Sequence, residues 1–355
     1  MKRPMNRREF LITCGSVTAG LVCSHAEAAP SRASRLGLVT YCCRIRAKHL
    51  RKGQPSVDLS HPLVFLDHCH GLGAGGIQMD LGVLTEEEAK QLRAKADDLG
   101  QFVEGIVSLP KEKTKLDDFA AAMRTAASVG VAAVRSTIIP GRRYEYFDSL
   151  EKFREYESRG RRALELATPI CEKYKVPVAV ENHKDHRNAE RVALFEHISS
   201  EYVGACVDTG NSVALLEDPI ETIEALAPWA HSVHLKDQAV KAYEDGFLLA
   251  DIPLGQGCFD LKKMVSILRA AKPNVHFSLE LITRDPLKVP TYSAKYWKTF
   301  PDLPASDLAR TMRMVRDHAS EDLQYISRMS ELDQVKREDE NVRASIEYAR
   351  RELKL

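Results

Sequence analysis

The sequence predicts an α/β fold, a (β/α)8 barrel with a C-terminal helical extension. Eight short apolar runs alternate with segments of helical periodicity. Near-continuous hydrophobicity is typical of strands buried on both faces of a parallel sheet, and strict alternation of strands with helices is typical of a barrel. The predicted strands span residues 36–41, 76–81, 102–109, 132–139, 177–182, 204–208, 232–235 and 275–282.

The segments between the predicted strands carry helix signals. Thr85 followed by Glu88 forms a capping-box pattern, which predicts that a helix begins there. Further helices are predicted over residues 116–128, 150–174, 190–198, 219–226 and 261–270. Residues 238–258 are predicted to form a long loop, and long loops at the carboxyl ends of barrel strands often cover an active site.

The N-terminal segment resembles an export signal rather than part of the fold. Basic residues precede a modestly apolar stretch over 10–22, and Ala-Glu-Ala at 26–28 fits a small-residue cleavage site. The run Asn-Arg-Arg-Glu-Phe-Leu at 6–11 resembles a twin-arginine signal, although Asn6 stands where Ser or Thr is usual. We therefore expect residues 1–28 to be a signal peptide and the protein to be exported to the periplasm.

The C-terminal segment lies after the last of the eight predicted strands and outside the barrel. We expect the barrel to occupy residues 29–300 and a helical extension to occupy residues 301–355, where apolar residues recur at helical spacing despite a high charge. The extension is expected to pack on the barrel; a contact between copies in a homo-oligomer is the alternative.

Composition excludes several classes of partner. The chain has 51 basic and 50 acidic residues and a formal net charge of +1, without a basic stripe, which argues against a nucleic-acid partner. The sequence has no 18-residue apolar run, so no membrane span is expected. Six cysteines outside the N-terminal segment show neither C-x-x-C spacing nor the density of a disulfide scaffold, and we interpret them as core residues.

Four residues with metal-binding side chains stand where four consecutive predicted strands end. They are Glu181, Asp208, His234 and Glu280. Since the carboxyl ends of parallel barrel strands meet at one face, these side chains are expected to converge. Three carboxylates and one imidazole suit a single Mn²⁺, Mg²⁺, Co²⁺ or Zn²⁺ ion.

Such a site suits chemistry on a small carbohydrate. A divalent ion bound to two adjacent sugar oxygens would stabilise the enediolate that forms on deprotonation. Glu181 and Glu280 end strands five and eight, so they are expected to flank the sugar and carry protons. Proton transfer on two faces gives epimerisation, and proton transfer on one face gives aldose–ketose isomerisation.

The four motifs resemble a known family. Val-Glu-Asn-His at 180–183, Asp-Thr-Gly-Asn at 208–211, His-Leu-Lys-Asp at 234–237 and Ser-Leu-Glu at 278–280 resemble the xylose isomerase-like TIM-barrel superfamily, in its sugar phosphate isomerase/epimerase branch. The resemblance covers about residues 36–285. It implies that the four residues bind metal and that those matching Glu181 and Glu280 move protons.

Five further residues are candidates for substrate binding: His183, Asn211, Lys236, Asp237 and Arg284. Asn211 stands where ketose epimerases usually carry a histidine, and its amide can hydrogen-bond a sugar hydroxyl. The His-Leu-Lys-Asp motif also resembles inosose dehydratases, so Lys236 could bind substrate or assist a leaving group. Asp237 is expected to support His234 or to cap its loop, and Arg284 to bind an anionic group.

We therefore expect a metal-dependent sugar isomerase or epimerase. Because phosphorylated sugars are scarce outside the cytoplasm, its substrate is expected to be a free sugar or an oxidised sugar derivative. One alternative is a lyase or dehydratase that forms the same enediolate and then expels a β-hydroxyl or glycosidic oxygen. A second alternative is a non-catalytic carbohydrate-binding barrel, which would need no proton carriers.

Overall fold

The computed structural model describes residues 36–53, 58–139 and 141–355, and a closed parallel barrel lies at its centre. The expected signal, residues 1–28, lies outside the described residues. The barrel consists of the strands β1 (Gly37–Val39), β2 (Gly76–Met79), β3 (Phe102–Ile106), β4 (Val134–Ser136), β5 (Val178–Glu181), β6 (Val203–Asp208), β7 (Ala230–Leu235) and β10 (Phe277–Leu279). A separate antiparallel sheet contains β8 (Asp237–Tyr243), β9 (Gly246–Ile252) and β11 (Leu287–Val289). The predicted barrel is confirmed.

Helices surround the barrel and follow its strands in sequence. They are α1 (Arg44–Gly53), α2 (Pro62–Gly71), α3 (Glu86–Leu99), α4 (Leu116–Val129), α5 (Arg143–Tyr146), α6 (Leu150–Tyr174), α7 (Asn188–Ile198), α8 (Pro219–Leu226), α9 (Leu261–Ala271), α10 (Ala294–Trp297), α11 (Ala305–Asp317) and α12 (Glu331–Tyr348). The predicted capping box is present at the start of α3, where the Thr85 side chain accepts the Glu88 N–H and Glu88 accepts the Thr85 N–H. Within the described parts of the chain, no helix is long and apolar enough to span a membrane.

The segment predicted as a long loop is mostly a hairpin. Residues 237–252 form β8 and β9, and β11 pairs with β9 at the far edge. The turn needs Gly246, which has φ +150°, and a Cβ there would lie 2.3 Å from the Val289 carbonyl oxygen. The prediction of a loop was wrong because it overlooked a local hairpin: β8 and β9 pair directly across the two turn residues Glu244 and Asp245.

The predicted C-terminal helix is present as α12 and packs in the outer helical layer. Val342 and Ile346 join the main hydrophobic core. Glu338 is buried and accepts the backbone N–H of Ile45 at 2.8 Å and of Arg46 at 2.9 Å, at the start of α1. The helix therefore packs beside the first barrel helix and is held there by buried hydrogen bonds.

Replacing Glu338 with alanine is expected to lower the free energy of unfolding by about 1–3 kcal/mol, because two N–H groups lose their acceptor. Burial raises the pKa of Glu338 to about 7, above the ordinary value of a glutamate. A carboxyl with a raised pKa contributes most stability below its unfolded pKa and loses it as the pH rises through the folded pKa. The decrease in the free energy of unfolding caused by Glu338→Ala, measured by urea denaturation, should thus be larger at pH 5 than at pH 8.

The exposed Glu340 on the same helix provides the control, and its alanine variant should change stability by less than about 0.5 kcal/mol. Equal effects of the two substitutions would show that the Glu338 hydrogen bonds do not hold α12 on the barrel.

Candidate metal centre

The four predicted ligand residues converge at the carboxyl end of the barrel. Glu181 and Asp208 are the last residues of β5 and β6, His234 on β7 pairs in register with Asp208, and Glu280 directly follows β10. One ligand atom from each lies within 4.8 Å of the others, and all four side chains are buried. The topology thus brings together residues up to 99 positions apart in the chain.

His234 presents an unpaired nitrogen to the three carboxylates. Its Nδ1 atom lies 3.4 Å from Glu280 Oε2, 3.7 Å from Glu181 Oε2 and 3.9 Å from Asp208 Oδ2. This fully buried atom has no hydrogen-bond partner among the described residues. An unpaired buried nitrogen is costly unless a ligand occupies the position that it faces.

A glutamine fixes the orientation of this imidazole. Gln78 Nε2 donates to Glu104 Oε2 at 2.8 Å, so Gln78 Oε1 faces His234 Nε2 at 2.7 Å. With the proton on Nε2, the Nδ1 lone pair points at the carboxylates, as in a metal-binding imidazole.

The donor set fits one divalent ion. Ligands about 2.1 Å from a common ion lie about 3–4 Å apart, which matches the distances around His234 Nδ1. Three carboxylates and one imidazole suit Mn²⁺, Mg²⁺, Co²⁺ or Zn²⁺. The buried cluster can therefore hold a metal, as the sequence predicted.

Two cations contact the carboxylates directly. Arg135 Nε donates to Glu181 Oε2 at 2.6 Å, and Lys236 Nζ lies 3.0 Å from Asp208 Oδ2 and 2.6 Å from Glu280 Oε2. Burial disfavours ionisation of Glu181, but Arg135, His183 and His234 together outweigh it, and the pKa of Glu181 lies below the usual value. Burial also disfavours ionisation of Glu280, but Lys236, His234 and Arg135 together outweigh it, and the pKa of Glu280 lies well below the usual value.

Asn211 links the cluster to a third cation. Its Nδ2 donates to Glu181 Oε1 at 2.9 Å, and its Oδ1 accepts from Lys184 and lies 3.4 Å from Lys236 Nζ. The amide predicted to bind a sugar hydroxyl therefore holds Glu181 in place. Burial, Lys236 and Arg284 lower the pKa of Lys184 to about 8, which reflects several cations close together.

Asp237 supports a loop rather than the imidazole. Its carboxylate accepts backbone N–H groups from Gly255, Gly257 and Phe259 at 2.9–3.3 Å, and from the adjacent Gln238 at 2.9 Å. Of the two roles expected for Asp237, the structure shows loop capping.

The other two predicted substrate residues lie beside the cluster. His183 Nδ1 is 3.3 Å from the Ile139 carbonyl oxygen. Arg284 Nη2 is 3.0 Å from Asp251 Oδ2 on β9, so the inserted hairpin contributes a carboxylate at this end of the barrel. Binding of substrate by His183 and Arg284 stays a prediction.

Sequence reasoning missed Gln78, Glu104, Arg135, Lys184 and Asp251. Three of these polar residues interrupt otherwise apolar strands, β2, β3 and β4, and that interruption was an available signal. The three carboxylates of the cluster lie together with one further carboxylate, Asp251, and with four cations. We call these eight residues the charged layer: Glu181, Asp208, Asp251, Glu280, Arg135, Lys184, Lys236 and Arg284.

A cavity of about 580 Å³ opens beside the cluster, at the ends of β1, β3 and β4. Its lining includes Tyr41, Tyr156, Arg159 and Arg135. Since Arg135 also contacts Glu181, the cavity adjoins the metal centre. Its size suits a sugar-sized ligand.

Replacing Gln78 with leucine is expected to weaken metal binding by about 10–100-fold, because the His234 imidazole loses the acceptor that fixes its tautomer. Isothermal titration of metal-stripped protein with Mn²⁺ measures this change. Gln101, a buried glutamine that donates to the Ala74 carbonyl oxygen at 3.0 Å, provides the control, since its leucine variant should keep the wild-type affinity. Unchanged binding in the Gln78 variant would refute its role.

Comparison with known proteins supports the fold. A family model described as xylose isomerase-like TIM barrel matches residues 66–318. The 3-oxo-isoapionate decarboxylase of Pectobacterium atrosepticum is 30% identical over 119 residues, which are 33% of this chain and 43% of that protein. The match therefore spans less than half the length of this relative.

Solved structures show the same fold at low sequence identity. An L-ribulose 3-epimerase is 15% identical, with a TM-score of 0.53 over 90% of this chain and 97% of that chain. A xylose isomerase-like TIM barrel protein from Mycobacterium smegmatis in complex with magnesium is 14% identical, with a TM-score of 0.51 over 81% of this chain and 98% of that chain.

Proposed function

Because the chain belongs to the xylose isomerase-like TIM barrel family, we propose that it is a divalent-metal-dependent sugar isomerase or epimerase acting through an enediolate. The observation that carries this proposal is the buried group of three carboxylates around the unpaired Nδ1 of His234. Its substrate is a free sugar or a keto-sugar derivative bound in the adjacent cavity.

The four cluster residues Glu181, Asp208, His234 and Glu280 would hold the metal. A bound divalent ion polarises a carbonyl oxygen and stabilises the negative charge that develops when the neighbouring carbon loses its proton. The protein itself supplies proton carriers and their orientation.

Glu181 and Glu280 are the proton carriers in this proposal. They lie on β5 and at the end of β10, with β6 and β7 between them in the barrel. One carboxylate takes the proton from the substrate carbon, and the other glutamate, protonated from solvent, gives a proton to the opposite side of that carbon to form the epimer. Arg135 and Asn211 hold the two oxygens of Glu181, so its orientation is set before substrate binds.

A lyase is the second candidate function, favoured by the position of Lys236. Its ammonium group lies 2.6 Å from Glu280 Oε2, where it could donate a proton to a departing oxygen or bind a carboxylate. The similar protein from Pectobacterium atrosepticum is named as a decarboxylase of a 3-oxo acid. Decarboxylation breaks a carbon–carbon bond, releases CO₂ and leaves an enediolate that takes up one proton.

Deuterium uptake followed by NMR tests the proposal. Metal-stripped protein, reloaded with Mn²⁺, is incubated in D₂O with ketoses, aldoses, uronates, aldonates and 3-keto-glycosides. The metal is then removed before the spectra are recorded. Metal-dependent deuterium at one carbon with an epimer or isomer as product supports the primary proposal, whereas an eliminated or decarboxylated product selects the lyase. No exchange with any sugar by the loaded protein would overturn both and favour the carbohydrate-binding alternative.

A further inference from the structure

Resting on the proposed function, we propose that the natural substrate is a sugar acid whose carboxylate binds at Arg135 and along a basic rim formed by Arg159 and Lys111. All three residues line the cavity beside the metal centre. Recognition of the carboxylate determines which sugars bind, whether the enzyme is an isomerase, an epimerase or a lyase.

The cavity has a basic character where it meets the metal centre. Asp80 is the carboxylate of its lining, against the three cations of the proposed anion site. Arg135 is 7% exposed and lies at the inner end, in contact with Glu181, whereas Arg159 and Lys111 are exposed at the mouth. A planar guanidinium binds a carboxylate through two parallel hydrogen bonds, so this lining favours an anionic ligand over a neutral one.

An aromatic ring lies beside each of the two guanidinium groups. The Cζ atom of Arg135 lies 5.9 Å from the centre of the Tyr41 ring, and that of Arg159 lies 5.1 Å from the centre of the Tyr156 ring. The ring contacts use no N–H donor of either arginine. Arg135 already directs Nε and Nη2 to Glu181, so its remaining N–H groups and the guanidinium of Arg159 are the donors for a bound carboxylate. The two tyrosine rings also provide apolar walls for a sugar.

Charge balance in the charged layer supports the same conclusion. Its four carboxylates are matched by four cations before any metal binds. Both carboxylate partners of Lys236, namely Asp208 and Glu280, belong to the metal cluster, so a divalent ion would share the oxygens that Lys236 contacts. The loaded layer then carries an excess of two positive charges in a buried setting, where uncompensated charge is costly.

A sugar acid brings one negative charge to this excess. Transfer of a proton from its carbon to Glu181 or Glu280 leaves the total charge of the site unchanged, because the carboxylate that takes the proton becomes neutral. A planar carboxylate matches the two-donor edge of a guanidinium, and we therefore infer a carboxylate as the anionic group, with a sugar phosphate as the alternative that the titration below tests.

Isothermal titration of the Mn²⁺-loaded protein tests this inference with matched ligand pairs: D-galacturonate with D-galactose, D-gluconate with D-glucitol, and D-glucose 6-phosphate with D-glucose. The acid of the first two pairs is expected to bind about 10-fold or more tightly than its neutral partner, as one charged hydrogen-bonded contact would give. Arg159→Gln should reduce this preference about threefold or more, since a rim guanidinium contributes a screened contact. Arg161→Gln, on the same helix and outside the cavity lining, should leave it unchanged.

The outcomes separate this inference from the proposed function. Equal binding of acids and neutral sugars, or a preference that survives in Arg159→Gln and in Arg135→Leu, would overturn the inference even if neutral sugars exchange deuterium. Tightest binding of the phosphate would overturn the choice of carboxylate. A preference for acids that depends on Arg159 would support the inference even if no bound acid exchanges deuterium, in which case the proposed function fails alone.

Discussion

Replacing Glu280 with glutamine is expected to lower the rate of metal-dependent deuterium exchange by about 10²–10⁴-fold, the range that a positioned proton carrier contributes. Glutamine keeps the shape of the side chain and one oxygen beside Lys236, but it cannot accept the proton of the substrate carbon. The rate is measured by NMR in D₂O at saturating Mn²⁺, and the metal content of each sample is determined, so that loss of the ion is distinguished from loss of the proton carrier.

Glu217 provides a matched control for this substitution. It is a buried carboxylate, 8% exposed, that accepts the backbone N–H of Asn188 at 2.9 Å and lies outside the charged layer. Glu217→Gln should retain the wild-type exchange rate. If Glu280→Gln exchanged deuterium as fast as the wild type with a full complement of metal, Glu280 would not carry the proton.

Replacing His234 with alanine is expected to weaken Mn²⁺ binding by more than about 100-fold, because loss of a direct ligand exceeds the loss seen for its supporting residues. Thermal unfolding with and without metal gives a second readout. At Mn²⁺ concentrations of 100 times Kd, the wild-type free energy of unfolding should rise by about 2.7 kcal/mol, and the variant should lack this increase.

His231 offers the control on the same strand, three residues before His234. It is partly exposed, and its pKa is lowered to about 4, chiefly by burial and then by Lys272. His231→Ala should bind Mn²⁺ as the wild type does. Equal Mn²⁺ affinity in the wild type and in His234→Ala would show that the imidazole is not a metal ligand.

Much of the fold and the centre of the site follow from local patterns in the sequence. Apolar runs of strand length, separated by capped amphipathic segments, specify a parallel barrel because each run must be covered on both faces. The same geometry predicts that Glu181, Asp208, His234 and Glu280 converge, since each ends its strand at a common face. Those predictions need only strand direction and order.

The surroundings of the cluster depend on contacts that strand order does not specify. Arg135 pairs with Glu181 from a neighbouring strand, and Gln78 reaches His234 across the barrel interior. Asp251 enters the charged layer only because a hairpin forms where the sequence predicted a loop. Binding of substrate by Asn211 stays a prediction; its amide also spans Glu181 and Lys184, a contact that local periodicity does not encode.

The central claim is that four buried side chains hold one divalent ion at the carboxyl end of the barrel. Anomalous diffraction from crystals soaked in Mn²⁺ tests this claim most directly. The account predicts a single strong peak bounded by Glu181, Asp208, His234 Nδ1 and Glu280. A cluster without a peak in fully soaked crystals, or a principal peak at another site in the protein, would contradict it.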